Sequence, residues 1–208
     1  MSKIKFLATL VILISLSISI VFKESANNIS YQTLKDDAVV IAFGDSLTYG
    51  YGVDKKFSYP SQLENKTGLH VINAGVSGEE SSEGLLRLPS LLKLKPNLVI
   101  LCHGGNDILR KRSHEQLKMN LLKMINLIKE SGSEVLLVGV ADFGLLGFKT
   151  LSVYNDVAEQ TGVMYEENMI SYIESKASLK SDNIHPNEKG YEMIADSLIK
   201  ILKSNKLI

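Results

Sequence analysis

The chain has 208 residues, 45% of them apolar and 22% charged, a composition that excludes disorder and suits one domain with a substantial core. Acidic and basic residues balance at 23 each, which excludes a global field that would draw nucleic acid or an acidic partner. A single cysteine, Cys102, excludes an intrachain disulfide, so the fold must stand without covalent staples.

Lys3 and Lys5 precede an uncharged run from Phe6 to Phe22, which Lys23 and Glu24 close. A basic start ahead of an apolar run reads as an export signal over residues 1–26, although no A-x-A cleavage site follows it. As a helix the run would reach about 26 Å at about 1.5 Å per residue, against a hydrocarbon core of about 30 Å. An uncleaved membrane anchor is therefore the second reading of the same segment, and export to the periplasm, the cell exterior or the membrane surface is expected either way. Residues 27–35 read as a polar tether, and the folded domain is expected over 36–204.

Past the tether, Ala38 to Phe43 is a run of apolar and β-branched residues of the length expected for a strand buried on both faces. Gly44 ends it. Further strands are expected near Leu69–Asn73, Leu98–His103, Val135–Val140 and, more weakly patterned, Val163–Tyr165. Helical patterns lie between them. The clearest opens on Ser113 and Gln116 as a capping box, carries Leu117, Leu121, Ile125 and Ile128 on one face, and stops at Gly132. The last helix repeats the pattern with Tyr191, Ile194, Leu198, Ile201 and Leu202. This alternation predicts an α/β fold with a parallel sheet covered on both faces, and right-handed βαβ winding gathers the carboxyl ends of the strands on one edge.

The loops at that edge carry the chemistry. They read "GDSLTYG" after the first strand, "NAGVSGE" after the second, "GGND" after the third and "ADFGLLGF" after the fourth, with "SDNIHPNEKGY" before the last helix. Ser46 in the first loop could simply cap a helix. Asp182 and His185, with two residues between them, give it another use: the carboxylate can reach Nδ1 and leave Nε2 facing outward to take a proton from a hydroxyl. Asn106 brings a side-chain amide donor and Gly75 an unobstructed backbone N–H, which together can serve an oxyanion. Asp45 reads as a turn residue that binds local backbone N–H groups, and Asp107 as a brace for its own loop. His103 reads as a structural histidine, His70 and His114 as surface residues, and Cys102 as a buried small hydrophobe. "DNIHP" offers too few ligands for a zinc site, and neither a P-loop nor a dinucleotide fingerprint is present.

On these four blocks, in this order, the chain resembles the SGNH or GDSL hydrolase family, with Ser46, Gly75, Asn106 and His185 matching its four named residues and Asp182 completing "DxxH". The likeness spans about residues 38 to 203. It implies a three-layer, flavodoxin-like α/β/α sandwich of five parallel strands in the order 2-1-3-4-5. It further implies a Ser46-His185-Asp182 triad, an oxyanion site of Gly75 and Asn106 with the Ser46 amide, and no metal or cofactor. "NAGVSGEESSEGLLRLPSLL" and "GGNDILR" look most like the bacterial thioesterase, arylesterase and lysophospholipase branch, which implies a monomeric enzyme acting on a small acyl ester, thioester or lysophospholipid. Cys102 and His103 depart from that pattern, standing where an apolar or small residue is expected. Leu145, Leu146 and Phe148 in the fourth loop are expected to line an acyl groove. The competing readings are an O-acetyl carbohydrate deacetylase with the same triad and a membrane-tethered binding module without turnover.

Overall fold

The Ala38–Phe43 run becomes strand β1, Val39–Gly44, one residue later than its composition indicates because the glycine still pairs within the sheet. The computed structural model describes residues 31–35, 37–142 and 148–208. Expectations for residues 1–26 and for Leu145 and Leu146 therefore lie outside the described residues. After β1 come α1 (Ser46–Tyr49), α2 (Tyr59–Thr67), β2 (His70–Gly75), α3 (Ser81–Leu92), β3 (Leu98–Cys102), α4 (Gly105–Leu109), α5 (His114–Glu130) and β4 (Glu134–Val138). The chain continues through β5 (Ala141–Asp142), β6 (Lys149–Thr150), α6 (Ser152–Thr161), β7 (Met164–Glu166), α7 (Met169–Glu174) and α8 (Glu188–Ser204).

The main sheet is parallel and ordered β2-β1-β3-β4-β7, in register from Val39 against His70 to Gly44 against Gly75 on one side of β1. Helices α2 and α8 pack together as one layer, while α3, α5 and α6 pack side by side as the other. β1, β3 and β4 are buried nearly throughout, as expected of strands covered on both faces. The order reverses between β1 and β3, so the loops after those two strands leave the sheet edge in opposite directions and open a crevice there.

The helix patterns hold with two adjustments. Leu117, Leu121, Ile125 and Ile128 are all buried, but Ser113 caps α5 alone: its hydroxyl accepts from the Gln116 N–H, while the Gln116 side chain turns away to donate to Asn120. The capping box belongs instead to α3, between Glu80 and Glu83. In α8, Tyr191, Ile194, Leu198 and Leu202 are buried and Ile201 stands at the border of the stripe.

Two features have no counterpart in the sequence reading. β5 and β6 form a small antiparallel pair beyond the end of β4. The end of the expected tether is also tied to the domain, with the Leu34 N–H donating to the Leu207 carbonyl at 2.8 Å and the Thr33 hydroxyl to the Lys206 carbonyl at 3.0 Å. Residues Thr33–Ile208 accordingly form one compact unit, three residues earlier at its start than expected.

Candidate active site

Ser46 is placed by what precedes it. Asp45, 1% exposed, ends the strand and caps α1, its carboxylate accepting the Leu47 N–H at 3.1 Å and the Gly105 N–H. Burial pushes the Asp45 carboxyl above the usual carboxylate range, against the pull of His103, these N–H donors and His185. Asp45 is thus the loop brace that the sequence suggests. Ser46 becomes the first residue of α1, and its N–H has no acceptor among the described residues, as expected for a helix start.

The base arrives from the other end of the chain. Asp182 and His185 lie on the turn before α8, where Asp182 Oδ1 accepts the Ile184 and His185 N–H groups, each at 2.8 Å, and Oδ2 meets His185 Nδ1 at 2.7 Å. Burial opposes the charged Asp182, but the Ile184 N–H and His185 outweigh it and hold the carboxyl below the ordinary range. With Nδ1–H donating to Asp182, Nε2 is left as the acceptor facing the Ser46 hydroxyl at 3.0 Å. The turn itself is closed by the Ser181 N–H donating to the His185 carbonyl at 2.9 Å and by pairing of Lys180 with Pro186.

Asn106 comes in on α4, the short helix after β3. Its Nδ2 donates to the Glu79 carbonyl at 3.0 Å and has a second hydrogen to offer. Asp107 braces this block against α3 and not within its own loop, accepting from the N–H and hydroxyl of Ser81 at 2.8 and 2.6 Å. Asp45, Ser46, Gly105, Asn106 and His185 line one recess of about 280 Å³, open to solvent, whose remaining walls are Leu47, Leu109, Val140 and Ile184.

Gly75 does not join this group. It is the last residue of β2, and its N–H donates to the Asn73 side chain at 3.0 Å; neither it nor Gly78 lines the recess. The other glycine of the same block has the free donor: Gly78 turns with φ +83°, and its N–H has no acceptor among the described residues. "NAGVSGE" contains both glycines, and composition alone cannot say which is still paired in the strand. Sequence reasoning also passed over Tyr51, whose ring lies against His185, and the cluster that Glu79, Arg87 and His103 form. Cys102 is buried, and burial pushes its thiol well above its ordinary value. His70 and His114 are exposed. Among the described residues no group of three or more His, Cys, Asp or Glu could hold a metal ion.

A hydroxyl at the carboxyl edge of a parallel sheet, facing an imidazole, within a flavodoxin-like strand order, defines a serine hydrolase. The chain matches the family model described as GDSL-like Lipase/Acylhydrolase family over residues 42–193, and it belongs to that family as a GDSL-type serine ester hydrolase. It is 32% identical over 178 residues to an arylesterase of Vibrio mimicus, covering 78% of this chain and 89% of the relative. It is 28% identical over 183 residues to thioesterase 1/protease 1/lysophospholipase L1 of Escherichia coli, covering 84% and 88%. Among solved structures it resembles the psychrotrophic esterase EstA from Pseudoalteromonas sp., with a TM-score of 0.72, 26% identity, and 81% and 98% of the two chains covered.

Proposed function

We infer that the protein hydrolyses acyl esters or thioesters through an acyl-enzyme on Ser46. In this reading His185 takes the hydroxyl proton at Nε2 and later returns it to the leaving group, while Asp182 holds the ring by Nδ1 and stabilises the imidazolium. The oxyanion is received by the Ser46 N–H, the Gly78 N–H and the second Asn106 Nδ2 hydrogen. The observation that carries the reading is the continuous line from Asp182 through His185 to Ser46, at 2.7 and 3.0 Å.

The apolar walls of the recess, Leu47, Leu109, Val140 and Ile184, favour an acyl chain over an acetylated sugar. The basic start and apolar run of residues 3–22 support work outside the cytoplasm. No helix among the described residues is long and apolar enough to cross a membrane. The deciding experiment is intact-mass analysis after exposure to an alkyl fluorophosphonate. One phosphonyl group should be added and mapped to Ser46, and none should be added to Ser46→Ala. Labelling that survives the substitution removes Ser46 from the mechanism.

A further inference from the structure

Behind Asn106 lies a polar cluster of Glu79, Arg87 and His103 that the proposed mechanism leaves without a role. Glu79 is 8% exposed, and its carboxylate takes Arg87 Nε at 2.8 Å and Arg87 Nη2 at 2.6 Å, with His103 Nε2 at 3.0 Å on the same side. Arg87 is itself fixed, donating to the Ala74 carbonyl at 3.1 Å and lying 4.5 Å over the Phe43 ring. Burial opposes the charge on Glu79, yet Arg87 and His103 together lower its carboxyl to about 2.

The main chain of Glu79 faces the other way. Its N–H closes a turn to the Val76 carbonyl at 3.2 Å, its carbonyl accepts Asn106 Nδ2 at 3.0 Å, and the residue before it is Gly78 with the unpaired N–H. One residue therefore links Arg87 and His103 to both donors of the proposed oxyanion corner.

His103 stands where an apolar or small residue is expected, and its surroundings are shaped for the ring. It is 0% exposed, its carbonyl accepts the Tyr154 hydroxyl at 2.7 Å, and Phe43 lies against it at 5.6 Å between centroids. Gly84 on α3 supplies the space: a Cβ there would run into His103 Nε2. The other ring nitrogen, Nδ1, is buried without a partner among the described residues. A polar atom left in that state is unfavourable, and leucine would avoid it, so the ring is retained for the bond from Nε2 to Glu79.

We propose that His103 is a positioning residue for the oxyanion corner, holding Glu79 so that the Gly78 N–H and the Asn106 amide keep their aim. The proposal rests on the reading of Asn106 and Gly78 as oxyanion donors. It is tested on the full chain with p-nitrophenyl butyrate, using His103→Leu, His103→Gln, Asn106→Ala and the His103→Leu/Asn106→Ala double variant. Misplaced donors should lower kcat of His103→Leu by roughly ten- to a hundredfold, with KM changed less than about twofold. His103→Gln, whose amide can still donate to Glu79, should recover most of that loss.

In the double variant the two losses should overlap and fall short of their product. A His103→Leu variant with wild-type kcat, a His103→Gln variant as slow as His103→Leu, or fully multiplicative losses would each overturn the proposal. If Asn106→Ala alone keeps wild-type kcat, the oxyanion reading itself fails; if Asn106→Ala is slow and His103→Leu is not, only the role of His103 fails. Should the leucine variant not fold, Glu79→Gln takes its place in the same cycle, with the same non-multiplicative result expected and a multiplicative one overturning the role.

Discussion

Tyr51 lays its ring against the imidazole of His185, with centroids 4.4 Å apart and planes 38° from parallel. The contact is built in. Gly50 and Gly52 flank Tyr51 with φ of +88° and +86°, the Tyr51 N–H donates to the Ser46 carbonyl at 3.1 Å, and the Tyr51 carbonyl accepts the Tyr191 hydroxyl at 3.0 Å. On the proposed mechanism, a ring face at that distance favours the imidazolium formed during proton transfer by about 0.5–1 kcal/mol, or about two- to fivefold in rate. Tyr51→Ala should lower kcat by that factor and Tyr51→Phe should leave it unchanged. Equal losses in both variants would move the effect from the ring face to the hydroxyl.

The second prediction concerns Asp182. In Asp182→Asn the amide presents N–H groups towards His185 Nδ1, which favours the tautomer with its hydrogen on Nε2, facing Ser46, where it cannot accept the hydroxyl proton. A fall in kcat of about 10²- to 10⁴-fold on a p-nitrophenyl ester is expected, with the folded state intact by circular dichroism. A loss below tenfold would assign the orientation of the ring to some other group.

Three of the chemical blocks were legible because each follows a strand of the sheet, where composition changes abruptly to glycine and small polar residues, and the fourth, on the turn before α8, through the spacing of Asp182 and His185. Ser46 and Asn106 could be placed at the sheet edge from that signal and the winding of the sheet, while Asp182 and His185 needed their spacing and the likeness to the family. The two glycines of the second block could not be told apart because the switch from paired strand to free turn, between Gly75 and Gly78, is a matter of hydrogen bonding that residue types do not record. The set of Glu79, Arg87 and His103 was hidden for a different reason. Its members come from a loop, a helix and a strand end, and only packing brings them together. The β5–β6 pair, at two residues each, is too short to show a strand period.

Two buried glutamates should shape the stability of the fold against pH with opposite signs. Burial raises the Glu174 carboxyl to about 7, although Lys180 at 3.5 Å pulls it down; Asp182 adds to the rise. Between its ordinary value of 4.5 and about 7 the folded chain keeps a proton that the unfolded chain has lost, so this group removes stability as pH rises through that window. Glu79, lowered to about 2, acts the other way: its contribution is present above about 4.5 and is lost as pH falls towards 2. The windows do not overlap. The Tm of Glu174→Gln minus that of wild type should climb from pH 4.5 to 7 and then level, and a flat or falling difference would contradict the assignment to Glu174.

The substrate question turns on the recess beside Ser46. Leu47 and Val140 are buried in its wall, Ile184 is half-buried, and Leu109 is 42% exposed at its rim, so an acyl chain entering there would cover apolar surface that now faces water. Each methylene that is buried contributes up to about 0.8 kcal/mol, which raises kcat/KM several-fold for every two carbons until the wall is used up. An acetyl group is too short to gain from this. Leu109→Ser should therefore penalise octanoate more than acetate, and because Leu109 lies three residues from Asn106 on the same short helix, the acetate rate doubles as a control for damage to the oxyanion corner. Acetate, butyrate, hexanoate and octanoate esters of p-nitrophenol, measured on wild type and Leu109→Ser, separate the outcomes. A rise with length in wild type that is blunted in the variant supports acyl-chain recognition in this recess. A wild-type preference for acetate would reject it and favour deacetylation, and a loss in the variant that is uniform across lengths would place the chain elsewhere.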